Sequence, residues 1–492
     1  RRYRVVEGPW TARQRLGLRQ SSGAFPRFDR SEVHGEESLL SPAGFMGRGG
    51  NSTSRAKCRC SVSVFTVALF CILAVAFLGC GQQQGVTAPP RKGSPENRQT
   101  VLPASQLAAP EAQAKVPADL PNSRFPTYEL RMSPRDLASL ERTAFSNDTV
   151  PATFIADGKS YEGVKVRYRG AWARGWPKKP LKIFFPQDKP FEGQRRLNFN
   201  SCWRDPAFVR EDLAYQIYAA CDVPASRSRM VRLLVNGQFR GLYVEVEQPD
   251  KAFAKRYQLK GASVYKAVSR ANQADERDHG RSEERYRPHY EKETQKEAGY
   301  GELQEFCQAL ARATNTFEFF TKQVDLEKYI NYLAATTLLQ HWDGYNKNHF
   351  LVYDGKGSKK WFVLPWDLDR TMGDHWTWSF DEAHLPILLG TRQKPGVTGW
   401  NRLQDRFFSD PTLRAKFADR LQELLEKEFT KEKLFPIVDG LEKEIGADVA
   451  LDRRLWPNQQ TPGLHSGIVQ LKRFIERRRA YLLSELPKFR AE

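Results

Sequence analysis

Asp343 and Asn348 stand five residues apart in an H-x-D-x-x-x-x-N frame that begins at His341. That spacing suits phosphoryl transfer, in which one carboxylate receives the proton of an attacking hydroxyl and one amide oxygen holds Mg²⁺. Asp367 and Asp369 follow within the same stretch, HWDGYNKNHFLVYDGKGSKKWFVLPWDLDRTMG, which covers 341–373. Magnesium takes hard oxygen ligands, often one or two carboxylates, and lets substrate phosphates complete its shell. Asp and Asn are also ordinary turn residues, and Asp354-Gly355 is such a turn. The tryptophans and the proline around Asp367 set it apart, because apolar surroundings make an unpaired carboxylate costly. A rival chemistry would use His341, His349, Asp343 and Asp367 as transition-metal ligands for hydrolysis.

Positioning these groups requires a rigid support. Residues 325–340 predict a helix whose apolar positions Tyr329, Ile330, Leu333, Ala334, Thr337 and Leu338 make it a core element feeding straight into His341. A strand at 350–353, a Gly/Lys-rich turn and a returning strand at 360–364 bring Asp367 and Asp369 back beside the first loop. Upstream, 125–131 predicts a strand, and 133–145 a helix with Ser133 as cap and Pro134 in its first turn. A hairpin over 152–168 and a strand at 181–185 flank the loop 169–176 and the run Lys178-Lys179-Pro180, which together offer cations to a phosphate. Asp205-Pro206 predicts a helix start, with Val209, Leu213, Ile217 and Ala220 on one face. Arg210, Glu211 and Asp212 fall near that start, where a carboxylate could partner either one of the lysines or its own helix dipole. Asn236-Gly237 marks the clearest hairpin. Its second strand ends at Glu247 and runs into Gln248-Pro249-Asp250 as a hinge would, making Glu247 a candidate cofactor contact. The charged stretch 269–299 predicts an exposed insertion. Residues 374–389, with His375, Trp376, Trp378 and Phe380, predict a substrate-facing loop. Helices are expected at 300–313, 411–428, 431–445 and 467–486, the last presenting Lys472, Arg473 and Arg477 to Arg479 as a solvated face.

A chain of 492 residues, 40% hydrophobic and 12% aromatic, has material for a large core and two or three domains. Its net charge of +19 favours acidic partners, yet the excess is diffuse and no nucleic-acid module is present, so no nucleic-acid partner is expected. Residues 1–60 carry scattered Arg, Gly and Ser and are expected to be unstructured or an over-extended start, with Met46 an alternative initiator. Basic residues up to Arg59, the uncharged run 61–78 and Gly79-Cys80 have the parts of an export signal. Phe77-Leu78-Gly79-Cys80 resembles a bacterial lipoprotein box, which would make Cys80 the lipidated residue; a retained single transmembrane helix is the alternative. Either would leave the protein exported and membrane-anchored, with 81–121 as a Pro/Gln/Ala-rich linker. Four of the seven cysteines lie in or near the signal, and Cys202, Cys221 and Cys307 are too few and too scattered for a disulfide framework or a zinc site.

Three pieces carry a family resemblance: RLNFNSCWRDPAFVREDLAYQIYAACDVPASRSRMVRLLVNGQFRGLYVEVEQPD over 196–250, GASVYKA over 261–267, and the stretch 341–373. In combination and order they resemble the spore-coat CotH kinase family, from about residue 125 to 486. The resemblance implies an α+β, two-lobed, atypical protein-kinase-like fold: an antiparallel-sheet N-lobe over 122–250 and a mainly helical C-lobe over 251–490. It implies transfer of the γ-phosphoryl group of ATP, with Mg²⁺ or Mn²⁺, to Ser/Thr of a protein substrate. By the same resemblance Asp343 is the catalytic-loop aspartate, Asn348 the companion metal ligand, Asp367 the principal metal-binding aspartate and Asp369 a second ligand. Lys179 or Lys182 would hold the α/β-phosphates. Arg210 matches a position typical of the family. The loop 169–176 is not a G-x-G-x-x-G, so phosphate cradling relies on other groups. Some members act as surface binding proteins, which leaves a non-catalytic envelope protein on a kinase-like scaffold as the alternative.

Overall fold

The computed structural model describes residues 120–491 except 260, 269–273, 376–379 and 398. Cys80, the segments 1–60 and 61–80, nearly all of the expected linker, and Trp376 and Trp378 lie outside the described residues. Among those described, no helix is long and apolar enough to cross a membrane.

Seven strands close into a barrel: β1 (Thr127–Arg131), β2 (Val150–Ala156), β3 (Lys159–Tyr168), β4 (Leu181–Phe184), β5 (Arg196–Asn200), β6 (Ser228–Val235) and β7 (Gln238–Glu247). Their order is β1-β2-β3-β4-β5-β7-β6. The ring is completed by a parallel pairing of β6 with β1, Tyr128 opposite Leu233. An antiparallel sheet was expected; the parallel pairing of β6 with β1 closes it, which removes both edges and leaves no row of unpaired backbone groups. The interior is filled with side chains. Phe154 meets Tyr128, Phe185 and Phe191 at ring separations of 5.0–5.2 Å, and Leu130, Val164, Val166, Ile183 and Leu197 are fully buried.

Between β1 and β2 lies α1 (Pro134–Arg142), with Ser133 Oγ accepting from Asp136 N at 3.1 Å as the cap. After β5 comes α2 (Arg210–Ala220), which begins later than Asp205-Pro206 suggested. The Asp205 carboxylate does accept backbone N–H groups, from Ala207 and Arg210 at 2.9 Å each. However, Phe208 takes a left-handed φ of 61°, so the segment is a turn before the helix. Beyond β7, Asp250 caps α3 (Lys251–Arg256).

The C-terminal half is not simply helical. A second sheet of order β11-β10-β8-β9 runs through it, made of β8 (Ser263–Ala267), β9 (Tyr290–Lys292), β10 (His349–Tyr353) and β11 (Trp361–Pro365). The stretch expected as an exposed insertion supplies β9 and buries Glu276, Tyr286, Tyr290 and Glu293. Its charges are paired inward, which composition alone does not reveal. Three helices, α4 (Gly301–Arg312), α5 (Thr316–Gln323) and α6 (Leu326–Leu339), separate β9 from β10.

The chain finishes with α7 (Arg402–Phe408), α8 (Pro411–Lys427), α9 (Lys431–Leu455) and α10 (Leu464–Ala491). Helix α9 continues ten residues past the expected end at 445 and braces the barrel. Asp452 accepts from Lys178 Nζ at 2.5 Å and from Leu242 N at 2.8 Å, and Asp448 lies 3.3 Å from Arg232. In α10 the expected solvated face is also corrected. Arg478 is fully buried and donates to Thr337 O, Ala383 O and Leu385 O at 2.6–3.1 Å.

Candidate active site

The core helix α6 ends at Gln340 with a left-handed φ of 54°, turning the chain sharply into His341. His341 is completely buried, and burial, with His349 and Lys347 adding to it, drives its pKa down to about 3. A neutral imidazole here serves packing. His349 is occupied: Nδ1 faces Gly344 O at 3.0 Å and Nε2 faces Glu276 at 3.0 Å. Burial alone would lower its pKa, but Glu276 and the carbonyls raise it. Among the described residues no three His, Cys, Asp or Glu side chains form a self-sufficient metal-holding group.

Asp343 is held on both sides. Lys347 Nζ stands 2.9 Å from Oδ1, and Asn348 Nδ2 donates to Oδ2 at 2.9 Å. Burial raises the Asp343 carboxyl; Lys347 opposes this and the charge of Asp367 adds to it. The two acidic loops expected to converge do face each other. Trp366 N donates to Asn348 O at 3.1 Å and Met372 N to Leu339 O at 2.8 Å, stitching the second loop to the first. Asn348 and Asp367 both adopt left-handed backbone, φ 57° and 60°, a region that Asn and Asp tolerate best among side-chain-bearing residues.

Asp367 opens the short turn Leu368–Arg370, against which α2 packs, so Glu211 joins the acidic group. Burial and then the charge of Asp367 push Glu211 up to about 8, against two bonds from Asn200 Nδ2 at 2.6 and 2.7 Å. Asp369 is likewise raised well above the usual carboxylate range by burial, by Asp367 and by Glu211. Three carboxylates thus crowd one region where like charges cannot all ionise cheaply. Asp374 stands apart, satisfied by Arg204 at 2.9 Å and Arg370 at 3.2 Å. Arg210 is buried against Asp205 and reaches Met372 O at 3.3 Å, bracing the far end of the loop.

The cations come from both sheets. Lys182 on β4 donates to Gln248 Oε1 at 2.8 Å, and burial holds its pKa well below the ordinary value, with Glu293 opposing. Arg169 donates to Asn200 and lies 5.5 Å over the Trp366 ring, next to Asp367. Lys266 on β8 is lowered by burial and by Arg169, and is drawn the other way by Glu291, Glu293 and Asp367. Neither Arg169 nor Lys266 was singled out from the sequence as a site residue; the available signal for Lys266 was a lysine inside the otherwise apolar strand SVYKA. Lys179 lies elsewhere, 3.9 Å from Glu141 and over Tyr168. The structure does not bring Glu247 to the acidic group: its carboxylate accepts from Arg256 and from Arg227 N at 3.0 Å.

Comparison with known proteins supplies a separate line of information. A family profile described as CotH kinase protein matches residues 166–482. Inner spore coat protein H of Bacillus subtilis is 28% identical over 337 residues, 67% of this chain and 89% of that protein. Invasin CotH2 of Rhizopus delemar is 25% identical over 281 residues, 54% of this chain but 46% of the invasin. A B. subtilis inner spore coat protein H-like protein is 21% identical over 268 residues, 54% of this chain and 73% of its own length.

Proposed function

This chain belongs to the CotH kinase protein family, and we propose that it is a protein kinase passing the γ-phosphoryl group of ATP to Ser/Thr hydroxyls. The reading takes the barrel portion, 122–250, as the N-lobe and 251–490 as the C-lobe. One observation carries it: Asp343, gripped by Asn348 and Lys347, shares an electrostatic field with Asp367 across two stitched loops.

Asp343 is the base. As the acceptor oxygen bonds to the γ-phosphorus and the bond to ADP breaks, the hydroxyl proton passes to its carboxylate, whose raised pKa brings it nearer neutrality. Asn348 and Lys347 hold that carboxylate in place. Asp367, Asp369 and Asn348, with Glu211 beside them, are the oxygen donors that would hold Mg²⁺ or Mn²⁺. The fit is chemical: burial and the charge of Asp367 raise the carboxyls of Glu211 and Asp369, a penalty that an added divalent charge would relieve, and magnesium needs only one or two carboxylates. A bound cation would neutralise phosphate charge as transfer proceeds. Lys182, set toward Gln248 and Glu293, suits a phosphate better than Lys179, which stands beside Glu141. In this reading the protein is exported and anchored through Cys80 or an N-terminal helix, and acts on a protein partner.

The test is transfer from γ-labelled ATP to the chain itself or to a generic acceptor. Asp343→Asn is expected to lower it about 10²- to 10⁴-fold, the usual weight of a general base. Equal labelling by wild type and variant would remove Asp343 from the chemistry. No labelling at all would favour the second reading, an envelope binding or structural protein, toward which the coat-protein and invasin names of the relatives lean.

A further inference from the structure

The four residues between Asp343 and Asn348 belong to no strand or helix, yet each of their carbonyls is held by a donor. His349 Nδ1 faces Gly344 O at 3.0 Å and Lys347 O at 3.1 Å. Asn401 Nδ2 donates to Tyr345 O at 2.6 Å, and Ala274 N donates to Asn346 O at 3.1 Å. An irregular buried loop must find partners for its carbonyls outside itself, so the aim of those partners sets its shape. Two of them, His349 and Asn401, meet again at Glu276. His349 Nε2 faces Glu276 Oε1 at 3.0 Å, where Tyr290 Oη also donates at 3.2 Å, and Oε2 takes the same Asn401 amide. Glu276, His349 and Asn401 are all buried. The stretch is fastened further to α7, since Arg402 N donates to Asp275 O at 2.9 Å and the Arg402 guanidinium to the Asp275 carboxylate at 2.8 Å. Glu276 itself takes a left-handed φ of 55°, a conformation that persists only where the surroundings over-determine it.

We propose that Glu276 is a positioning residue for the loop that carries Asp343 and Asn348, acting through His349 and Asn401. Its two oxygens aim the two side chains that hold the loop carbonyls, so no carbonyl turns without breaking a bond to a group that is itself bound. Asp343 then meets the acceptor hydroxyl with its geometry set beforehand. The inference rests on the kinase reading for the reaction, and adds to it the stretch 274–276, which lies outside the acidic loops. Glu276 touches neither substrate nor cation in this assignment.

The experiment compares the full chain with Asn401→Ser, Glu276→Ala and Glu276→Gln. It records kcat and KM for transfer from ATP, together with amide hydrogen exchange over 343–348 and over α8. Serine keeps the cap of α7, in which Asn401 Oδ1 accepts from Gln404 N at 3.0 Å, but removes the amide that Glu276 orients. Asn401→Ser therefore decides the matter even where Glu276→Ala fails to fold. Both should lower kcat about tenfold to a hundredfold, the weight of a misplacement of about 1 Å, with KM for ATP unchanged. Exchange at 343–348 should quicken about tenfold, the equivalent of one lost hydrogen bond, with α8 unmoved. Glu276→Gln should keep most of the rate, because an amide can donate to Nε2 of a neutral ring and accept from Asn401. Glu276→Gln as slow as Glu276→Ala would show that charge rather than aim is at work, and overturns the assignment. Unchanged kcat in Asn401→Ser, or exchange that rises equally in α8, also overturns it and leaves the kinase reading standing. Quickened local exchange in a chain whose wild type transfers nothing keeps Glu276 as the positioning residue of the loop and removes the kinase.

Discussion

Glu211 sets a pH dependence that can be worked out from its surroundings. With its carboxyl pushed to about 8 in the folded chain against 4.5 ordinarily, the folded state keeps a proton that the unfolded state releases. Below about pH 4 both states are protonated and the group contributes nothing to the slope. From there to about pH 8 stability declines as pH rises, and above that it levels off. Glu211→Gln removes this slope. Urea melts should therefore show the variant gaining on wild type steadily from pH 5 to pH 8, and a constant difference would disprove the crowding. Added Mg²⁺ should narrow the gap at pH 8, where wild type, unlike the variant, carries an ionising carboxyl at this position. Asp343, Asn348 and Asp367 could be singled out from their spacing along the chain, and the structure sets Asn348 against Asp343 and stitches the loop of Asp367 to the loop of Asn348. Lys266 and Arg169 could not be singled out in that way, since nothing in a linear pattern says that β8 lies beside the loop after β3.

At the scale of elements, the joint between α9 and the barrel is the most exposed to mutation. Lys178 and Asp452 are both fully buried and bonded at 2.5 Å. Gly241, with φ 130°, sits so close that a Cβ there would run into Asp452 Oδ2. Removing one partner strands the other charge. Asp452→Asn is expected to cost about 3–5 kcal/mol in denaturant melts, whereas the double change Lys178→Met/Asp452→Leu should cost less. This joint also explains where sequence reading stopped. Asp448 and Asp452 interrupt the apolar rhythm after Ile445, so the helix seems to end there, yet both aspartates point at barrel cations. Arg478 misled for a related reason. Three successive arginines look solvated, but a 3.6-residue period turns one of them inward, where backbone carbonyls receive it. The hairpins and most caps, Ser133, Asp250 and Asp410 among them, follow local turn chemistry and were read to within a residue or two, Asp205 being the exception.

Across the whole molecule, the barrel and the C-terminal half share a core. Leu242, Val244 and Val246 on β7 belong to the same buried cluster as Leu441, Ile445 and Val449 on α9, while a second cluster fills the barrel interior. A fragment spanning 122–250 should therefore fail to hold a stable fold, with rapid proteolysis and weak near-ultraviolet dichroism; a cooperative melt from it would show that the brace is dispensable. The brace also has a temporal side. Lys178 and Asp452 are 274 residues apart, and a ribosome delivers the earlier one long before the later. The barrel of a nascent chain can therefore take up its brace only after α9 has emerged, and until then the Lys178 ammonium has water, not Asp452, for company.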